Sequence, residues 1–156
     1  MSHNHSIPIA LVDSFFAAAK FRNVNLAKVF ASSGLDYSAF VRSLEDNPQE
    51  RISLRYISPL LRSLWTELDD EASGFLSRPF KLGTFSMMCH AVISAGNLRR
   101  ALLRSGRFMS LMGDDLSIEL HEEGDEAQVD ISFSSPQKLD DVFLITSLYI
   151  IWIRLS

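Results

Sequence analysis

The chain of 156 residues holds one cysteine, five prolines and seven glycines. A single cysteine excludes an internal disulfide framework and a four-cysteine zinc module, and it points to a reducing compartment. No Gly-rich phosphate loop and no nucleophile-elbow pattern occurs, so these nucleotide-binding and acyl-transfer signatures are missing. The most apolar stretch, Val142 to Leu155, is interrupted by Thr146, Ser147 and Arg154. It falls short of the about 20 apolar residues that a membrane-spanning helix needs. The N-terminus, MSHNHS, lacks the basic region, long apolar run and small-residue cleavage site of a signal peptide. His3 and His5 lack two further ligands for a closed metal site. The acidic groups Asp69-Asp70-Glu71 and Asp114-Asp115 lack the spacing of a calcium loop. They read as solvated surface, and neither a metal nor a cofactor is expected.

What is present describes a globular protein. Hydrophobic residues make up 47% and charged residues 22% of the chain. Fifteen Lys and Arg against 19 Asp and Glu leave a formal net charge of −4. That balance argues against a wholesale nucleic-acid binder. The length suits one domain, about 100–200 residues being typical.

The periodicity predicts mostly helix. Leu11, Phe15, Phe16 and Ala19 recur at helical spacing and predict a first amphipathic helix ending near Phe21. Asn25 caps a short helix through Phe30 that Gly34 stops. A third helix runs from Asp36 to Leu44, followed by a polar loop from Glu45 to Arg51. Tyr56, Ile57, Leu60, Leu61, Leu64, Trp65 and Leu68 then mark one buried helix face. Two starts fit this helix: Ser58 as cap with Pro59 in first position, or a start near Ser53 with a bend at Pro59. Thr84 reads as the N-cap of a buried helix over 85–95. Asn97 caps the next helix, whose inner face is Leu98, Ala101, Leu102, Ser105, Phe108, Met109 and Met112.

The period then changes from helical to two. Leu116, Ile118 and Leu120 alternate with polar residues, and so do Ala127, Val129, Ile131 and Phe133. With Glu122-Glu123-Gly124-Asp125 between them, they predict a β-hairpin with one buried face. Residues from Leu139 on are helical by composition. The fold class is α+β: mainly helical, with a C-terminal antiparallel β-hairpin packed on helices.

Three features could carry chemistry. Cys89 and His90 are adjacent, and neighbours on a helix point about 100° apart, so they do not form a nucleophile–base couple. Cys89 reads as a small core residue. His90 reads as a core histidine with a local partner, or as a polar group lining a pocket. Arg100, Arg104 and Arg107 share one helix face, alongside Arg99. The row is either a solvated face paired with acids or a site for an anionic ligand or partner. Finally, Leu26-Ala27, Ala31, Tyr37 and Phe40 imitate a DNA-binding helix-turn-helix. Gly34 early in its second helix and the lack of Asn, Gln or Lys for base edges speak against that role.

Several motifs come in a specific order. Leu60-Leu61 and Leu64-Trp65 precede Asp69-Asp70 and Gly74-Phe75. Then follow Gly83-x-Phe85, Ser94-x-x-x-Leu98-x-x-Ala101-Leu102 and the aromatic Phe108. This order resembles the N-terminal, arabinose-binding-like domain of AraC-type bacterial transcription regulators, over about residues 10 to 135. Ser86 stands where the family usually has glycine. Gly34-Leu35 resembles the family's first helical segment, which accounts for the imitated helix-turn-helix.

The resemblance implies a sensor of an unknown small-molecule effector that also dimerises, in a cytoplasmic, non-enzymatic protein. DNA would be bound only by a separate C-terminal domain that these residues do not include. On this reading residues 1–156 are one effector-sensing and dimerisation domain, stopping inside an apolar helix. Candidate ligand contacts are Trp65, Phe85 and Met88 as apolar walls, with His90, Arg100 and Arg104 as polar anchors. The alternative is a stand-alone helical protein-interaction module that dimerises without a small-molecule ligand. A homodimer is expected on either reading, because the apolar C-terminal segment would otherwise leave a large exposed patch.

Overall fold

The computed structural model describes residues 5–134. The apolar segment Val142–Leu155 and His3 lie outside the described residues. The chain divides into two compact units, with the boundary between Gly74 and Phe75.

The first unit begins with a short antiparallel pair. Strand β1, Ser6–Pro8, lies against β2, Arg51–Ser53, with Ile7 opposite Ile52. Five helices follow the chain: α1 (Ile9–Ser14), α2 (Ala17–Phe21), α3 (Leu26–Ser32), α4 (Tyr37–Asp46) and α5 (Ile57–Leu68). The core is built from Ile9, Val12, Phe16, Ala18, Ala19, Leu26, Val29, Phe30, Leu60 and Leu64, all buried. Phe30 sits at its centre. The rings of Phe16, Tyr37 and Phe40 lie 5.2, 5.1 and 4.9 Å from it, all tilted. Such pairs add about 0.5–1.5 kcal/mol each beyond area burial.

The expected first helix is two helices. Phe15 N–H donates to the Val12 carbonyl at 3.1 Å and Phe16 N–H to Asp13 at 3.0 Å, so the backbone tightens to three-residue turns there. Adjacent residues on one straight helix diverge by about 100° and would not share a face. The break turns Phe15, Phe16, Ala18 and Ala19 inward together, while Leu11, expected inside, is exposed.

The expected cap at Asn25 forms, and Asp36, expected as the first residue of its helix, instead caps it. The Asn25 side chain accepts from Lys28 N–H at 3.1 Å, and Asp36 accepts from Ser38 and Ala39 N–H at 2.7 and 3.2 Å. Between these helices Gly34 takes φ +75°, and Leu35 N–H donates back to the Phe30 carbonyl at 3.0 Å. That left-handed glycine closes α3 as a C-terminal cap does.

Of the two expected starts of α5, the one near Ser53 is closer to the one observed, since the helical backbone begins directly after Ser53 as a 3-10 turn. A 3-10 turn over Leu54–Tyr56 leads directly into the helix at Ile57, so Pro59 is its third residue. Pro59 therefore sits in the first turn, where a missing N–H costs little because first-turn donors have no partner within the helix.

The end of α5 corrects the expectation of a solvated acidic surface. Asp69 takes the left-handed conformation, φ +51°, and Asp70 N–H donates to the Trp65 carbonyl at 3.1 Å. Asp70 itself is fully buried, and its two carboxylate oxygens accept from Ala72 and Gly74 N–H, each at 2.9 Å. The acidic pair is thus a chain-reversal device. Gly74, at φ +87°, leaves room for Arg22, whose Nε would lie 3.2 Å from an added Cβ.

The second unit holds α6 (Thr84–Ile93), α7 (Leu98–Met112) and a hairpin of β3 (Leu116–Glu123) and β4 (Glu126–Phe133). Leu116 faces Phe133, Ile118 faces Ile131 and Leu120 faces Val129, which is the expected apolar row. The loop is shorter than expected, with only Gly124 and Asp125 between the strands. Gly124 takes φ +60° at the first loop position, the place a type II′ turn reserves for glycine. The hairpin lies on α7. Met88, Met109 and Leu116 form the buried cluster, with Phe80, Phe108, Ile118, Ile131 and Phe133 packed on it. The fold is thus mostly helical, with a C-terminal antiparallel hairpin against α7.

Two local expectations change here. Gly83, at φ +96°, occupies the N-cap of α6, and Thr84 is its first helical residue. More importantly, α6 is not a buried helix. Only Thr84 and Met88 are buried along it, whereas Met87 is 61% and Ile93 83% exposed.

Candidate functional site

The six residues singled out from sequence fall in both units: Trp65 in the first, Phe85, Met88, His90, Arg100 and Arg104 in the second. Three of them are occupied in holding the fold. Trp65 Nε1 donates to Ser73 Oγ at 2.9 Å, so its indole braces the turn that follows α5. Met88 is 1% exposed and belongs to the core cluster under the hairpin. Arg104 donates from one guanidinium nitrogen to the Ala91 carbonyl at 3.2 Å and to Ser94 Oγ at 3.1 Å, tying α7 to the end of α6.

The other three face outward. Phe85 is 40% exposed. His90 is exposed, which corrects its reading as a core histidine. Arg100 is exposed on α7, and its backbone N–H is held by the capping Asn97 at 2.9 Å. The arginine that pairs with an acid is Arg99, which reaches Glu122 on β3 at 2.7 Å. The arginine row is therefore divided in role: Arg99 pins the hairpin, Arg104 pins α6, and Arg100 and Arg107 point to solvent. Cys89 is half-buried.

Asp115, expected at the surface, is half-buried and instead organises the entry to the second unit. It accepts from Ser77 N–H at 2.7 Å and from the Ser77 hydroxyl. Around it, Leu76, Phe80, Met109 and Leu116 close together. Among the described residues no group of three or more His, Cys, Asp and Glu can hold a metal ion. No described helix is long and apolar enough to cross a membrane.

An open cavity lies elsewhere, entirely within the first unit. A groove of about 640 Å³ runs between α3 and α5, lined by Lys28, Ser32, Ser58, Pro59, Arg62, Ser63, Thr66 and Glu67. Apart from half-buried Ser63 its lining residues are exposed, so the groove is open to solvent. These positions lie on the polar side of each helix, away from the apolar face that the periodicity marks. The polar signal was there: 28 and 32 on α3, and 58, 62 and 66 with 59, 63 and 67 on α5, each repeat at four-residue spacing and so on one side of its helix.

No curated protein and no solved structure matches the chain. The family model for the arabinose-binding domain of AraC transcription regulator, N-terminal, matches residues 24–156. The match takes in both units: the α3–α5 helices, the acid turn around Asp70, the α6–α7 pair and the hairpin, in one continuous span. The chain therefore belongs to this family of N-terminal sensor domains of AraC-type transcription regulators, which are not enzymes.

Proposed function

We propose that this chain senses a small-molecule effector and dimerises as the N-terminal domain, residues 1–156, of a cytoplasmic bacterial AraC-type regulator. The family match over 24–156 is the observation that carries the reading. DNA is read by a separate C-terminal domain, and the effector acts by binding one domain arrangement more tightly than another, which shifts the population toward it. Of the sequence candidates, the exposure of Phe85, His90 and Arg100 supports contact with an effector or a second copy. Trp65, Met88 and Arg104 act by shaping the units that present them.

Thermal-shift screening of the chain against a small-molecule panel tests the sensing role. A ligand selective for the native state raises the melting temperature, by about 2.7 kcal/mol of stabilisation at a hundredfold excess over Kd. Sugars, sugar acids, amino acids and aromatic acids form the panel. A panel that produces no shift in this chain, at millimolar ligand, overturns effector sensing.

The interaction-module reading has one observation in its favour, the exposed apolar surface of α6. It predicts self-association with no thermal shift from any small molecule.

A further inference from the structure

We infer that the groove between α3 and α5 is a binding site for a small polyhydroxylated anion, a sugar acid or a sugar phosphate. The inference rests on which hydrogen-bonding capacities the groove has left over.

Apart from Ser58, the hydroxyls that line the groove are engaged with backbone or with one another. Ser32 donates its proton to backbone, with the Val29 carbonyl at 2.9 Å and the Lys28 carbonyl at 3.1 Å. Its oxygen also touches the Ser63 hydroxyl, 2.5 Å away, a contact in which either oxygen can be the donor. Thr66 donates to the Arg62 carbonyl at 2.8 Å. Each hydroxyl has one proton and two lone pairs. Ser32, Ser63 and Thr66 therefore offer the groove more lone pairs than protons, and Ser58 adds one further hydroxyl. A ligand that satisfies them must bring several O–H donors of its own.

The charges are equally uneven. Lys28 Nζ is paired with the Glu67 carboxylate at 2.6 Å, so these two largely cancel. The Arg62 guanidinium has no acidic partner among the described residues. It is the one uncompensated charge of the lining, and its planar fork suits a carboxylate or phosphate. No aromatic or large aliphatic side chain lines the groove; Pro59 is its sole apolar member. An apolar effector would gain little here. A ligand with many hydroxyls and one anionic group matches both the acceptor row and the lone cation.

The site lies wholly in the first unit, so it stands or falls independently of the role proposed for Phe85, His90 and Arg100. Titration calorimetry on the full chain tests it with D-gluconate, D-ribose 5-phosphate and neutral D-sorbitol as probes. At least one anion binds at least tenfold more tightly than sorbitol, and which anion binds separates the carboxylate source from the phosphate one. Arg62→Gln weakens that binding at least tenfold, and Arg62→Lys restores part of it. Arg62 makes no side-chain contact the fold depends on, so the melting temperature of both variants stays at that of the parent chain. Amide NMR shifts on ligand addition fall at Ser32, Ser63 and Thr66. The proposal is overturned if neither anion binds, if sorbitol binds equally well, or if Arg62→Gln leaves affinity unchanged. Amide shifts confined to α7 also overturn it.

Discussion

Gly106 shows how one residue sets a packing distance. It lies in the middle of α7, where glycine costs about 1 kcal/mol against alanine in helix propensity. That cost has a visible return. A Cβ built at Gly106 would lie 2.5 Å from the Ile118 carbonyl oxygen of β3, a rigid backbone atom that cannot turn aside. The absent methyl lets the hairpin settle on the helix, with Ser105 and Met109 buried beside it. By propensity alone Gly106→Ala stabilises; by packing it forces strand and helix apart. Packing dominates, because overfilling a well-packed contact costs about 1–3 kcal/mol. Urea denaturation of Gly106→Ala should show a net loss of about 1–2 kcal/mol. Gly113→Ala is the control, since the nearest atom to its added Cβ is Arg78 Cδ at an ordinary 3.9 Å. A stabilised Gly106→Ala would mean that the helix–strand contact is loose.

At the scale of elements, the turn that ends α5 depends on a buried carboxylate. Asp70 holds the N–H groups of Ala72 and Gly74, and neither has a replacement acceptor if the side chain is cut back. Leaving buried donors unsatisfied costs about 1–3 kcal/mol each. Asp70→Ala should therefore destabilise the first unit by about 2–4 kcal/mol. Asp70→Asn, which keeps one acceptor oxygen, should lie between it and the parent in a urea melt. An Asp70→Ala variant as stable as the parent would show that the turn holds without its carboxylate. The same turn shows what the sequence does and does not disclose. Caps such as Asn25 and Asn97 act on donors three residues away, so they were legible, as was the apolar face of the hairpin through its period of two; its register was not, because the loop is two residues shorter than the polar run suggests. Asp70 was not, because a local acidic run looks the same whether it faces water or folds inward onto backbone. The break at Phe15–Phe16 was hidden for a related reason: two adjacent phenylalanines satisfy a helical pattern, and only the core decides that both turn in. In the α3–α5 groove, the lining residues are ordinary surface types, and they become a site only when two helices set their polar rows side by side.

Among the described residues one surface has no role in the fold itself. A helix as apolar as α6, with Met87, Met88, Ala91, Val92 and Ile93 in its sequence, is normally enclosed. Yet α6 presents Met87 and Ile93 to solvent, and α7 adds Leu98 and Leu111, the last 82% exposed. Exposed apolar surface, where it is continuous, marks a place where another surface docks. In the dimer proposed above, the α6–α7 surface of one copy meets a second copy. Sedimentation equilibrium at tens of micromolar should then give a mass near twice the 17.6 kDa of the chain. Met87→Lys and Ile93→Glu, made together, should shift it toward the monomer. Both side chains already contact water, so the double variant should keep its folding stability within about 0.5 kcal/mol per substitution, as exposed positions generally do. The two measurements separate the possible failures. A parent chain that sediments as a monomer removes the dimer. A dimer that survives both charges places its interface on another surface.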